Sequence, residues 1–112
     1  MSKRNSPELL VDDIIECGAK ILRYTENMTF DEFNQNELVM DAVIRNFEII
    51  GEAANRLPEE FKELHLQIEW HRIRGFRNRI VHDYAGIDTT IVWGVIVDFL
   101  PTMLESLMTI RQ

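Results

Sequence analysis

One run of this 112-residue sequence gathers groups able to do chemistry: Arg77-Asn78-Arg79-Ile80-Val81-His82-Asp83-Tyr84. A histidine titrates near neutral pH and can move a proton, and an arginine holds a phosphate bidentately and neutralises charge that develops on it. These two groups suffice for cleavage of RNA without a metal. The neighbouring 2′-hydroxyl is the nucleophile, so the protein need supply only an acid or base and an electrophile. DNA, lacking that hydroxyl, would resist. At 100° per residue, Arg77 and His82 lie about 140° apart on one helix, while Tyr84 falls nearly in line with Arg77 and Asn78 stacks under His82. One regular helix does not easily aim both groups at one phosphate. Two copies packed about a two-fold axis do, each protomer offering its histidine to the other's arginine across a shared cleft. The spacing therefore predicts a homodimer with a composite site. The plain alternative is a helix-end histidine and a surface cation.

Charge is distributed in the same sense. Overall the chain is at −7, which argues against wide electrostatic coating of a nucleic acid. From Met1 to Glu69 there are seven basic and fifteen acidic residues, whereas Trp70 to His82 holds Arg72, Arg74, Arg77 and Arg79 with no acid. A local cationic window on an acidic body suits a small, defined anionic target. Arg72, Arg74 and Arg79 are candidate RNA contacts, and Asn78 and Arg74 candidate supports for the pair. Glu52, from another segment, is a candidate to orient an arginine of the window. The competing reading is a salt-bridged surface.

Other chemistries lack their residues. No glutamate has a histidine three positions on, so a di-iron bundle is excluded. His65, His71 and His82 have no cysteine companions and no i, i+4 pairing, and the glycines stand singly, so neither a zinc site nor a phosphate loop is expected. No metal or cofactor is expected. His65 reads as a surface or capping residue, and His71 has no interpretable spacing. The single cysteine, Cys17, cannot staple the fold and reads as a buried hydrophobe of a reduced, cytoplasmic chain. No apolar run approaches the roughly 20 residues of a membrane span.

The elements that must position these residues are helical. Length and 46% hydrophobic content predict one domain over residues 1–112. Ser6 as cap and Pro7 at the first position open a helix reaching about Asn27, with Leu10, Ile14, Cys17 or Gly18, Ile21 and Tyr24 as its apolar stripe. A loop comes next, in which Thr29 and Glu32 form a capping box. A long amphipathic helix from about Asn36 to Leu57 carries Val39, Val43, Phe47, Ile50, Ala54 and Leu57 on one face, with Asp41, Arg45, Glu48, Glu52 and Asn55 opposite. A short helix starts at Pro58. Trp70 to about Tyr84 reads as a helix loosened near Gly75. After a turn at Gly86-Ile87-Asp88, the last helix runs to about Thr109 with Val92, Val95, Phe99, Met103 and Leu107 inward and a kink at Pro101. The fold class is all-α: an up-and-down bundle of four main helices plus a short one. The Met residues and Trp93 read as core or dimer interface.

Arg77, His82 and Tyr84, with Asn78 between, resemble the R-x(4)-H-x-Y motif of HEPN-domain ribonucleases. Ile49-Ile50-Gly51-Glu52-Ala53-Ala54-Asn55, Trp70 ahead of Gly75-Phe76-Arg77-Asn78, and Val92-Trp93 resemble its HepT-like (DUF86) branch. The resemblance covers nearly the whole chain. It implies a metal-independent endoribonuclease toxin, dimeric, acting on RNA with tRNA as the family expectation, and paired with a MntA-like nucleotidyltransferase antitoxin. Arg77 and His82 would be the catalytic pair. Tyr84 would be the tyrosine to which the antitoxin attaches AMP, silencing the nuclease. The alternative is a non-catalytic nucleotide-binding or transferase-docking helical module, which would bind without turnover.

Overall fold

A computed structural model describes residues 6–82 and 88–111, with the backbone alone described at residues 77 and 79–82. Among the described residues there is no strand. The helices are α1 (Pro7–Tyr24), α2 (Phe30–Gln35), α3 (Glu37–Arg56), α4 (Glu59–Glu63), α5 (Trp70–His82) and α6 (Thr89–Arg111). Four long helices thus form the expected all-α bundle, with two short ones instead of one, because the capping box at Thr29 starts a helix of its own. The Thr29 hydroxyl oxygen accepts from the Glu32 amide at 3.2 Å, and the Glu32 carboxylate accepts from the Thr29 amide at 2.8 Å.

Local chemistry accounts for most boundaries. Asn36 caps α3 by accepting from the Val39 amide at 3.0 Å, and Asp88 caps α6 by accepting from the Thr90 amide at 2.9 Å. Leu57 is extended because Pro58 comes directly after it, and α3 stops there. Two expectations at α1 are corrected. Ser6 holds the N-cap position, but its hydroxyl donates to the Glu8 carboxylate at 2.7 Å instead of capping a backbone amide. The helix ends at Tyr24, ahead of the expected Asn27, which lies at φ 63°, a left-handed conformation that asparagine tolerates.

The core lies between α1, α3 and α6, with α5 laid on α3. Leu10, Ile14, Ile21, Phe33, Val43, Leu100 and Leu107 are fully buried at its centre. Cys17 is buried there as expected, while Tyr24 at the end of the stripe is exposed. Trp93 is half-buried against Phe33, with ring centroids 5.2 Å apart, so it is core. Arg111 closes the bundle end by donating from Nε to Asp12 at 2.7 Å.

The last helix departs from expectation in register. Its turn Val95–Phe99 is π-helical, closed by the Leu100 amide donating to the Val95 carbonyl. Pro101 has no N–H for the Val97 carbonyl and its ring crowds that turn, so the irregularity falls just before the proline. The buried face shifts by one position within and just after this turn, while Met103 and Leu107 beyond it are buried as expected. Ile96 and Leu100 are buried where Val95 and Phe99 were expected, and those two are only half-buried. By length and composition α6 is apolar enough to cross a membrane, although Asp98 and Glu105 interrupt it and no uninterrupted apolar run reaches such a length. Its inner face, Val92, Ile96, Leu100, Leu104 and Leu107, lies in the protein core.

Candidate active site

Helix α5 carries the cationic run, and three aromatic or apolar anchors fix how it lies. Trp70 and Ile73 are buried, and half-buried Phe76 sets its ring edge-on against Phe47 of α3 with centroids 4.8 Å apart. The Trp70 indole N–H donates to the His65 carbonyl at 3.1 Å, tying the preceding loop to the first turn. That loop also half-buries His65 against Phe61. The helix runs unbroken through Gly75, where loosening was expected, since a single glycine costs about 1 kcal/mol and the anchors on either side outweigh it.

Burying one side turns the other outward. His71, Arg74, Gly75 and Asn78 are exposed and fall within one sector of about 100° on the helix. Helical position 82 falls in that same sector, whereas position 77 lies on the flank beside Trp70, about 140° away. The backbone thus keeps the separation that the sequence spacing required. Arg79 belongs to the same helix, and Tyr84 and the turn expected at Gly86 and Ile87 lie outside the described residues. Glu52 is exposed on α3, the helix against which α5 packs.

Arg72 behaves differently from its neighbours. Its guanidinium lies 4.3 Å from the centre of the Phe99 ring, on the π-helical turn of α6, and its Nη1 is 3.2 Å from the Glu69 carboxylate. The aromatic face and the carboxylate together hold this cation against α6. Among the described residues, no group of three or more His, Cys, Asp or Glu is placed to hold a metal ion. The Cys17 thiol is pushed above its ordinary value by burial, which suits a core residue and not a nucleophile.

Spacing alone did not reveal an open cleft of about 350 Å³ between α4 and the start of α5. Its walls come from two helices and the loop joining them, so no single periodicity marks it. Its trace in the sequence is a pair of apolar residues, Leu66 and Ile68, in a largely polar loop.

The model of the family described as "Ribonuclease HepT-like" matches residues 14–110. A protein of Thermococcus cleftensis named a probable ribonuclease HepT is 32% identical over 110 residues, covering 98% of this chain and 99% of that protein. Two proteins of Methanocaldococcus jannaschii, each named as a candidate RNase, are also similar. One is 35% identical over 106 residues, covering 95% of this chain and 96% of its own. The other is 36% identical over 95 residues, covering 85% and 78%. No solved structure matches the chain. The matched stretch runs from within α1 almost to the end of α6 and takes in the whole of α5, and on that ground the chain belongs to the HepT-like ribonuclease family.

Proposed function

We propose that the chain is a metal-independent endoribonuclease acting at a composite site on the two-fold axis of a homodimer, with Arg77 and His82 as its catalytic pair. The observation that carries this reading is the family match across a helix whose open face includes position 82 while position 77 lies about 140° away. A separation of that size within one helix is closed by a second copy. In the reaction the 2′-oxygen bonds to phosphorus as His82 accepts its proton. The bond from phosphorus to the 5′-oxygen breaks, and a proton returns to that leaving oxygen. Arg77 neutralises the charge that grows on the phosphoryl oxygens. Arg74, Asn78 and Arg79 extend the cationic face that holds the strand, Arg72 adds charge from its seat over Phe99, and Glu52 orients an arginine of the window.

The same reading makes the chain the toxin of a toxin–antitoxin pair, with tRNA as the substrate. A MntA-like nucleotidyltransferase silences it by adenylylation of Tyr84. Each added AMP would put a phosphate and a base into a cleft built for RNA, so the modified tyrosine acts as a tethered product mimic. Incubation of the purified chain with total RNA in EDTA tests the nuclease: cleavage is expected, and a loss of about 10²- to 10⁴-fold in Arg77→Ala and His82→Ala. Retained cleavage in either variant overturns the catalytic assignment. Mass spectrometry after co-expression with the nucleotidyltransferase tests Tyr84, and an unmodified tyrosine in a silenced nuclease overturns that step.

A further inference from the structure

We propose that the cleft between α4 and the start of α5 is a nucleobase subsite, taking a base with an exocyclic amino group from the RNA strand that lies along α5. The proposal rests on the ribonuclease reading above. At about 350 Å³ the cleft is in the lower range of small-ligand sites. Buried Ile68 and Trp70 contribute apolar surface to its lining, and Leu66, 78% exposed, stands at its rim. Three carboxylates line it, which at first sight repels RNA. Two of them are already matched: Glu59 lies 3.6 Å from the Lys62 ammonium, and Glu69 lies 3.2 Å from Arg72.

The titratable lining groups outside these two pairs are one carboxylate, Glu63, one imidazole, His71, and one guanidinium, Arg74, all exposed. That is a set suited to a nucleotide. A carboxylate only accepts hydrogen bonds, so it recognises the amino edge of adenine, cytosine or guanine and disfavours uracil, which presents carbonyl oxygens there. Imidazole and guanidinium planes stack on a splayed base or hold its phosphate. Arg74 and His71 share the open sector of α5 with position 82, and Arg74 lies about 12 Å along the axis from it, some three to four stacked base steps of about 3.4 Å. One strand can therefore reach both the cleft and the cleavage site.

Binding of uncleavable 2′-O-methyl oligouridylates, each with a single adenine or cytosine placed at successive positions, tests this by fluorescence anisotropy on the full chain. One register is expected to bind about tenfold tighter than the all-uridine strand. That preference should vanish in Glu63→Ala and weaken in His71→Ala, both exposed positions. Uniform affinity at every position, an unchanged preference in Glu63→Ala, or no binding at all overturns the subsite. RNA turnover in EDTA separates the two claims. Cleavage without base preference removes the subsite alone, and base preference without cleavage removes the catalytic reading alone. If preference is absent and Leu66→Ser instead abolishes binding of the co-expressed nucleotidyltransferase, the cleft is a protein-docking surface and the proposal fails.

Discussion

Cys17 and Arg72 illustrate how far a single residue's chemistry depends on what packs around it. Burial dominates at Cys17, raising its thiol above the ordinary value, with Lys20 opposing as the next influence. The native thiol should therefore resist iodoacetamide near pH 8 and react once the chain is unfolded in urea, as read by intact mass. The linkage has a definite sign. A raised folded-state value contributes stability that is fully present below the unfolded value, near pH 8.5, and is lost as pH climbs through it toward the folded value. Cys17→Ala should flatten that part of the alkaline decline in urea midpoint relative to the unaltered chain. Arg72 was legible as a cation in a cationic run, but its seat over Phe99 was not. That contact joins residues far apart in sequence, across a π-helical turn that no local pattern announces.

At the scale of elements, two glycines in helices make a contrast that tertiary packing alone decides. Alanine at either position should favour the helix by about 0.5–1 kcal/mol. At Gly75 nothing lies within 4 Å of an added Cβ, so Gly75→Ala should raise the urea midpoint by the full propensity gain. At Gly18 the added carbon would stand 2.6 Å from Leu104 Cδ2, with Cγ and Cδ1 at 3.2 and 3.3 Å. Leu104 is itself buried and has little room to give, so overpacking of about 1–3 kcal/mol should exceed the gain. Gly18→Ala should lower the midpoint. The starts of α3 and α6 were readable because a cap is a contact over two or three residues, as at Asn36 and Asp88, whereas the capping box at Thr29 was legible and the short helix it opens was not. The inward face of α6 was misplaced by one residue at Val95 and Phe99, at the widened turn, whereas Val92, Met103 and Leu107 on either side of it are buried as their spacing predicted.

The proposed two-fold arrangement is a matter for the whole molecule, and mixing inactive chains tests it. If each site takes its histidine from one protomer and its arginine from the other, Arg77→Ala and His82→Ala chains combined in one dimer rebuild one intact site of two. With random pairing, an equal mixture refolded together should recover about a quarter of the original RNA cleavage rate, each variant alone remaining inactive. Recovery no greater than the sum of the separate variants would show that both groups serve within one protomer. At −7 net charge two acidic bodies would repel, so the proposed association would need the cationic window to offset that repulsion locally.

Read alone, the sequence determined that the chain is helical, where α3, α5 and α6 begin, which stripes of α1 and α3 turn inward, and that one run gathers four arginines and two histidines with no acid among them. Those features rest on spacings of three and four residues and on cap contacts between near neighbours, so they are written locally. Only the tertiary structure decided that Arg72 is drawn onto α6, that Gly18 must stay small beneath Leu104, and that α4, a loop and α5 enclose a cleft holding Glu63, His71 and Arg74. Each of these depends on contacts between segments distant in the chain, and their geometry exists only once the core has packed.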